Sequence, residues 1–216
     1  MAKTISKTQQ PTMLYFARDL PNICSLAGLV CAVLGIWQAI LGNFPLAIIG
    51  ILWAVLFDWA DGIIARGMTQ RTKHQRAFGG QLDSLIDMVS FGVFPAIFLL
   101  SYSGYNPWFL PGALLIVVAS AIRLSYFNVF GMNADKTYTG LALDMNALIL
   151  AYVYLFEGFI GHTIYSILLY ILLVALLLLN LASIRTPKLA GNWFYVLIGY
   201  TVILTGIYTY IFLKNA

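Results

Sequence analysis

Four aspartates, Asp58, Asp61, Asp83 and Asp87, stand within the stretch FDWADGIIARGMTQRTKHQRAFGGQLDSLIDM (Phe57–Met88), between long apolar runs. Spacings of three (Asp58, Asp61) and four (Asp83, Asp87) put each pair on one face of a helix. Two antiparallel neighbours can therefore aim all four carboxylates into one pocket. An aspartate at the centre of a membrane helix costs about 2.5–3.5 kcal/mol on insertion scales, and less near an end. Four like charges packed together repel unless they are neutralised, either by protonation or by cations. Arg66 is the one positive group this stretch supplies at that depth, which is too little for four acids. If cations do it, an all-oxygen ligand set favours hard divalent ions such as Mg²⁺ or Mn²⁺ over zinc. The residues zinc would want lie elsewhere: Cys24 and Cys31 belong to another apolar run and read as small packing residues, His74 falls in a loop and His162 on the far side. Gly62 and Ala65, between Asp61 and Arg66, and Gly79 and Gly80, before Asp83, leave room for a bulky ligand or a phosphate to approach the backbone. They equally suit close helix packing.

These side chains need long helices to hold them at one depth, and the composition provides for that. Of 216 residues, 61% are hydrophobic and 9% charged, far fewer charges than the quarter or so a water-soluble domain carries. Seven runs approach the ~20 residues a membrane helix needs: Asn22–Leu41, Phe44–Arg66, Gly80–Ser101, Trp108–Phe130, Gly140–Phe159, His162–Ser183 and Trp193–Leu213. Short connections make one domain over residues 1–216. The expected fold is an all-α polytopic bundle of six to seven transmembrane helices. Ahead of it, residues 11–20, with Met13, Leu14, Tyr15 and Phe16 beside Arg18 and Asp19, suit an amphipathic helix lying in the interface, retained rather than cleaved as a signal peptide. With the N-terminus inside, Lys3, Lys7, Arg18, Arg66, Arg71, Lys73, Arg76, Lys136, Arg185 and Lys188 fall on the cytoplasmic side and Lys214 outside. That bias predicts a cytoplasmic-membrane protein whose aspartate cluster faces the cytoplasm. It also accounts for the net charge of +4 through anionic lipid, with no nucleic acid.

Asp58-x2-Asp61-Gly62-x2-Ala65-Arg66, followed by Gly79-x3-Asp83-x3-Asp87, resembles the signature of the CDP-alcohol phosphatidyltransferase family. The twelve residues Gly67–Phe78 stand where that family has a shorter loop. Leu20-Pro21-Asn22, LDSLIDMVSFGVFPA (Leu82–Ala96) and IRLSYFNV (Ile122–Val129) are similar to its phosphatidylserine synthase branch. Where that branch reads Gly-Leu-Pro, this chain departs with Gly140-Leu141-Ala142-Leu143-Asp144. The resemblance implies two divalent cations, Mg²⁺ or Mn²⁺, on Asp58, Asp61, Asp83 and Asp87, with Asp87 as general base. It implies a CDP and phosphate site at Gly62, Ala65, Arg66, Gly79 and Asp83, a homodimer, and transfer of a phosphatidyl group from CDP-diacylglycerol to a small alcohol with release of CMP.

Two charges outside the signature bear on the acceptor, for which L-serine is expected. Arg123 and Asp144 fall at the depth of the aspartates. The arginine suits a phosphate or carboxylate, or a snorkelling role, and Asp144 suits an ammonium, or pairing with Arg123 or Lys136. Asn128 and Tyr126 are further candidates in the same pocket, whereas Glu157 near the outer interface reads as structural. The alternative within the class is another acceptor: glycerol 3-phosphate, inositol phosphate, or an amino alcohol such as choline or ethanolamine. The alternative outside it is a cation transporter, which would spread acids through the bundle rather than gather them at one end.

Overall fold

Close packing of small residues sets the first helical pair. The computed structural model describes residues 12–135 and 137–215. Pro11, Lys3, Lys7 and Lys136, on which parts of the interfacial and charge readings fall, lie outside the described residues. A short helix α1 (Met13–Ala17) precedes α2 (Leu20–Ile40), which runs antiparallel to α3 (Phe44–Gly67). A Cβ on Gly50 would come within 2.7 Å of the Gly35 Cα and 2.8 Å of the Cys31 carbonyl oxygen. The two backbones thus touch, and the small-residue seam does what apolar packing does inside lipid. Cys24 and Cys31 are free thiols on this pair, half-buried as packing residues.

The third crossing is α4 (Lys73–Asp87), a π-helical segment (Met88–Val93) and α5 (Phe94–Tyr102) in one continuous run. Thr72 starts it with a capping box: its hydroxyl accepts from the Gln75 N–H (3.2 Å) and its own N–H donates to Gln75 Oε1 (2.9 Å). The π segment begins immediately after Asp87, and the Phe94 N–H donates to Val89, five residues back. Pro95 follows, lacking the N–H that would bond Phe91 and crowding that carbonyl, so a wider turn relieves the strand of the helix just upstream. A 3-10 turn (Pro107–Phe109) leads into α6 (Leu110–Phe130).

The run expected as a fifth crossing, Gly140–Phe159, is shorter as a helix than its hydropathy implies. It becomes α7 (Leu143–Val153) and a 3-10 turn (Tyr154–Phe159). With 1.5 Å per α residue and 2.0 Å per 3-10 residue, Leu143–Phe159 rises about 28 Å, close to the ~30 Å hydrocarbon thickness. One end sits by Trp59, which bonds Asp144, and the other by Tyr102, whose hydroxyl donates to Glu157 Oε1 at 3.1 Å. That bond gives Glu157 the structural role its position implied. Then follow α8 (His162–Leu181) and α9 (Trp193–Asn215). Apart from this stretch, six helices among the described residues are long and apolar enough to cross a membrane. The protein is an all-α, multi-pass membrane bundle.

Between α6 and α7, and between α8 and α9, lie two three-residue strands the hydropathy pattern did not foretell: β1 (Thr137–Thr139) and β2 (Arg185–Pro187), antiparallel, with Tyr138 opposite Thr186. Gly140, at φ +78°, turns β1 into α7 with its Cα against the Asn180 carbonyl: an added Cβ would lie 2.1 Å from that oxygen.

Candidate active site

The aspartates of α3 and α4 meet at the same end of the bundle as this small sheet. One carboxylate oxygen from each of Asp58, Asp83 and Asp87 lies within 4.8 Å of the others. Asp87 Oδ1 is buried and has no hydrogen-bond partner among the described residues. A buried, orphaned carboxylate oxygen facing two further carboxylates fits a hard divalent cation, which would complete the unmet coordination. Asp61 lies one turn along α3, buried, with its carboxylate accepting a hydrogen bond from the Ser25 hydroxyl of α2.

All four line a cavity of about 440 Å³. Its opposite wall is built from α6 (Arg123, Leu124, Phe127), β1 (Tyr138), the start of α7 (Leu141–Met145) and the chain from Thr186 to Gly191. Arg123 is only 6% exposed. Its Nε–H donates to the Leu141 carbonyl at 3.4 Å, its guanidinium carbon stands 5.5 Å from the Phe127 ring centroid, and no carboxylate among the described residues pairs with it. Asp144, in the first turn of α7, accepts from the Trp59 indole N–H at 2.7 Å and from backbone N–H groups of that turn, where the helix dipole favours a negative charge. Leu141–Asp144, within the departure from Gly-Leu-Pro, therefore belong to the cavity wall, while Gly140 does not line it.

The sequence-derived residues divide. Asp58, Asp61, Gly62, Arg66, Asp83, Asp87, Arg123 and Asp144 line the cavity. Ala65, Gly79, Asn128 and Tyr126 are not part of its wall. Gly79 instead lets α4 approach α2: a Cβ there would meet Arg71 Nη2 at 2.7 Å and Asn22 Oδ1 at 2.9 Å. Asn128 accepts from the Ser84 hydroxyl at 2.9 Å, tying α6 to α4, and Tyr126 is exposed. Gly62 works through Arg66, whose Nη1 would be 3.2 Å from an added Cβ, so the guanidinium folds back over the glycine.

The twelve residues Gly67–Phe78, expected as a longer loop, are mostly helix: only residues 68–72 connect α3 to α4, and Lys73–Phe78, His74 included, form the start of α4. Arg71 reaches back to Asp19 at the α1–α2 junction, an ion pair of 2.6 Å with both side chains almost fully buried. Phe78 stacks on Phe16 of α1 at 5.3 Å between centroids. These residues thus latch the entry of α4 to α1 and the α1–α2 junction.

Three wall residues escaped the sequence reading. Trp59 carried no signal beyond its place next to Asp58. Tyr138 was hidden in a polar loop. Lys188 counted only as a topology charge, yet its ammonium stands 5.9 Å from the Tyr138 ring centroid. Burial and the neighbouring Arg66 hold that ammonium below the usual lysine range, while burial and the Asp144 carboxylate push the Tyr138 hydroxyl up. Beside the cavity, across Trp59 and Leu189, runs an apolar groove of about 310 Å³ walled by Leu148, Ile149 and Tyr152 of α7 and Trp193, Val196, Leu197 and Tyr200 of α9. Tyr200 donates to the Leu148 carbonyl at 2.7 Å, clamping α9 to α7.

Residues 18–212 match the family described as CDP-alcohol phosphatidyltransferase. The chain is 35% identical over 175 residues to archaetidylserine synthase of Methanothermobacter thermautotrophicus, covering 80% of this chain and 71% of that protein. It is 28% identical over 182 residues to CDP-diacylglycerol–serine O-phosphatidyltransferase of Methanocaldococcus jannaschii, covering 84% and 81% respectively. A phosphatidylcholine synthase of Rhizobium johnstonii is 33% identical over 135 residues, 59% of this chain and 52% of that protein.

Proposed function

The chain belongs to the CDP-alcohol phosphatidyltransferase family, and from that premise we propose that it transfers the phosphatidyl group of CDP-diacylglycerol, or of an archaeal ether analogue, to L-serine. The observation that carries the acceptor is that Arg123 and Asp144, not paired with each other, stand on one wall of a cavity whose other wall bears the aspartates. Serine is a zwitterion whose hydroxyl sits on the carbon next to the one that bears both charges. A guanidinium fork suits its carboxylate, and a carboxylate suits its ammonium. Choline, the acceptor in the name of the rhizobial relative, has no carboxylate and would leave Arg123 unanswered.

In this reading Asp58, Asp61, Asp83 and Asp87 would hold two divalent cations, Mg²⁺ or Mn²⁺, which would supply Lewis-acid stabilisation of charge on the diphosphate and the leaving CMP. The protein's own groups do the rest. Arg66, folded over Gly62, grips phosphate. Arg123 and Asp144 orient serine so that its hydroxyl points across the cavity, and the Asp87 carboxylate takes the hydroxyl proton. The hydroxyl oxygen attacks the lipid-side phosphorus, the bond from that phosphorus to the bridging oxygen breaks, and CMP departs with the electron pair. The apolar groove beyond Trp59 receives a lipid chain while the headgroup stays in the polar cavity. The cavity is lined by Arg66 and Lys188, which belong with Arg18, Arg71, Lys73, Arg76 and Arg185 to the charges expected on the cytoplasmic side, with Lys214 on the other, and this supports a cytoplasmic-membrane enzyme facing the cytoplasm. It works as a homodimer, the state the family pattern implies, and light scattering at twice the 23.9 kDa chain mass tests that.

The experiment is an acceptor screen. Purified protein with CDP-lipid and Mg²⁺ or Mn²⁺ releases CMP when serine is added and much less with glycerol 3-phosphate, inositol phosphate, choline or ethanolamine. CMP release that depends on one of the others and ignores serine overturns the acceptor. Metal flux into vesicles without CMP release overturns the enzyme reading altogether.

A further inference from the structure

We propose that Lys188 and Arg66 form a two-cation seat for the diphosphate of the CDP-lipid, Lys188 being delivered to the cavity by the small β-sheet. The inference rests on the family reading and adds a residue outside its signature. Both side chains line the same cavity, and neither pairs with a carboxylate among the described residues. The carboxylates of the same cavity stand outside ion-pair distance of both cations among the described residues, which leaves both able to take anionic oxygens of a ligand.

The backbone ahead of Lys188 is held firmly. Residues 185–187 pair with 137–139, Arg185 makes a 2.9 Å salt bridge to Asp135, and the Thr186 hydroxyl donates to the Gly140 carbonyl at 2.6 Å. Tyr138, opposite Thr186, holds its ring 5.9 Å from the lysine ammonium. Arg66 is placed from the other side by the missing side chain at Gly62. The seat therefore closes between two separate elements, α3 and the β2–α9 connection, and a diphosphate carries enough oxygens to answer both cations at once. Arg123 lies deeper, on α6, and is left for the acceptor.

The test is Lys188→Ala, with Lys188→Arg as its conservative partner. Apparent KM is measured separately for CDP-lipid and for serine, and CDP binding to purified protein is measured by calorimetry with Mn²⁺ present. Loss of one charge-assisted contact at a half-exposed position is expected to raise KM for CDP-lipid and weaken CDP binding by about tenfold. KM for serine and the melting temperature stay unchanged, and Lys188→Arg recovers most of the loss. A variant with normal CDP binding, or with only the serine KM raised, overturns the seat. So does a fall in melting temperature that Lys188→Arg cannot repair, since it would make the lysine a prop for the loop. Failure of the wild type to release CMP would count against the transferase reading, whereas the CDP-binding comparison still judges Lys188.

Discussion

Arg123 is a buried guanidinium held by one long hydrogen bond and a ring face, and removing it should move activity and stability in opposite directions. In Arg123→Met the serine carboxylate loses a two-pronged partner. Hydrogen bonds to charged groups are worth about 1.5–3 kcal/mol, so the coupling between fork and carboxylate comes to about 3 kcal/mol, roughly 150-fold. Ethanolamine, which is serine without its carboxylate, isolates that coupling. The ratio of kcat/KM for serine to that for ethanolamine should fall about 150-fold in Arg123→Met, mostly through the serine KM, with Arg123→Lys between the two. The fold, meanwhile, loses an unpaired buried charge. Replacing such a group with an apolar side chain is neutral to stabilising by 1–4 kcal/mol; at a cavity wall about 1 kcal/mol is expected, raising the melting temperature by about 2–4 °C. A serine-to-ethanolamine ratio unchanged in Arg123→Met would refute the carboxylate contact. A lower melting temperature would show that the guanidinium holds the bundle together.

Chelating divalent ions should abolish CMP release, and Mg²⁺ or Mn²⁺ should restore it more fully than Zn²⁺, checked by CMP assay after dialysis. Asp83→Asn should remove turnover, whereas Asp87→Asn should lower kcat by a hundredfold or more, the range of general-base catalysis, while CDP-lipid still binds by calorimetry. Gly50→Ala should force α2 from α3 and destabilise the protein by about 1–3 kcal/mol, read as a lower melting temperature. Leu148→Trp, filling the apolar groove, should raise KM for a long-chain CDP-lipid more than for a short-chain one.

The composition and the signature between Asp58 and Asp87 were enough, without any structure, to fix a helical membrane bundle and to gather the aspartates at one end of it. Burying a carboxylate in lipid is costly enough that a helix carrying two on one face leaves few alternatives. Local pattern could also place Arg123 and Asp144 at the right depth, because rise per residue converts sequence distance directly into height. Depth was legible; direction around the bundle was not. Asn128 stands five residues beyond Arg123 and bonds Ser84 rather than facing the cavity. Gly79, within the signature itself, meets α2. The π segment after Asp87 and the 3-10 end of α7 changed residues per turn where hydropathy reads the same, so rotation and span length drifted from the regular helix.

Lys188, Tyr138 and the strands that pair them come from connections 40 or more residues apart in the chain. No periodicity links such segments; they meet because α7 and α8 run out and back and return both connections to the same end of the bundle. The sequence alone determined which residues carry the charge and at what height they lie, since both follow from side-chain chemistry and helix rise. Which of them share a cavity, and which cation stands beside which, was decided by how the helices turn and cross.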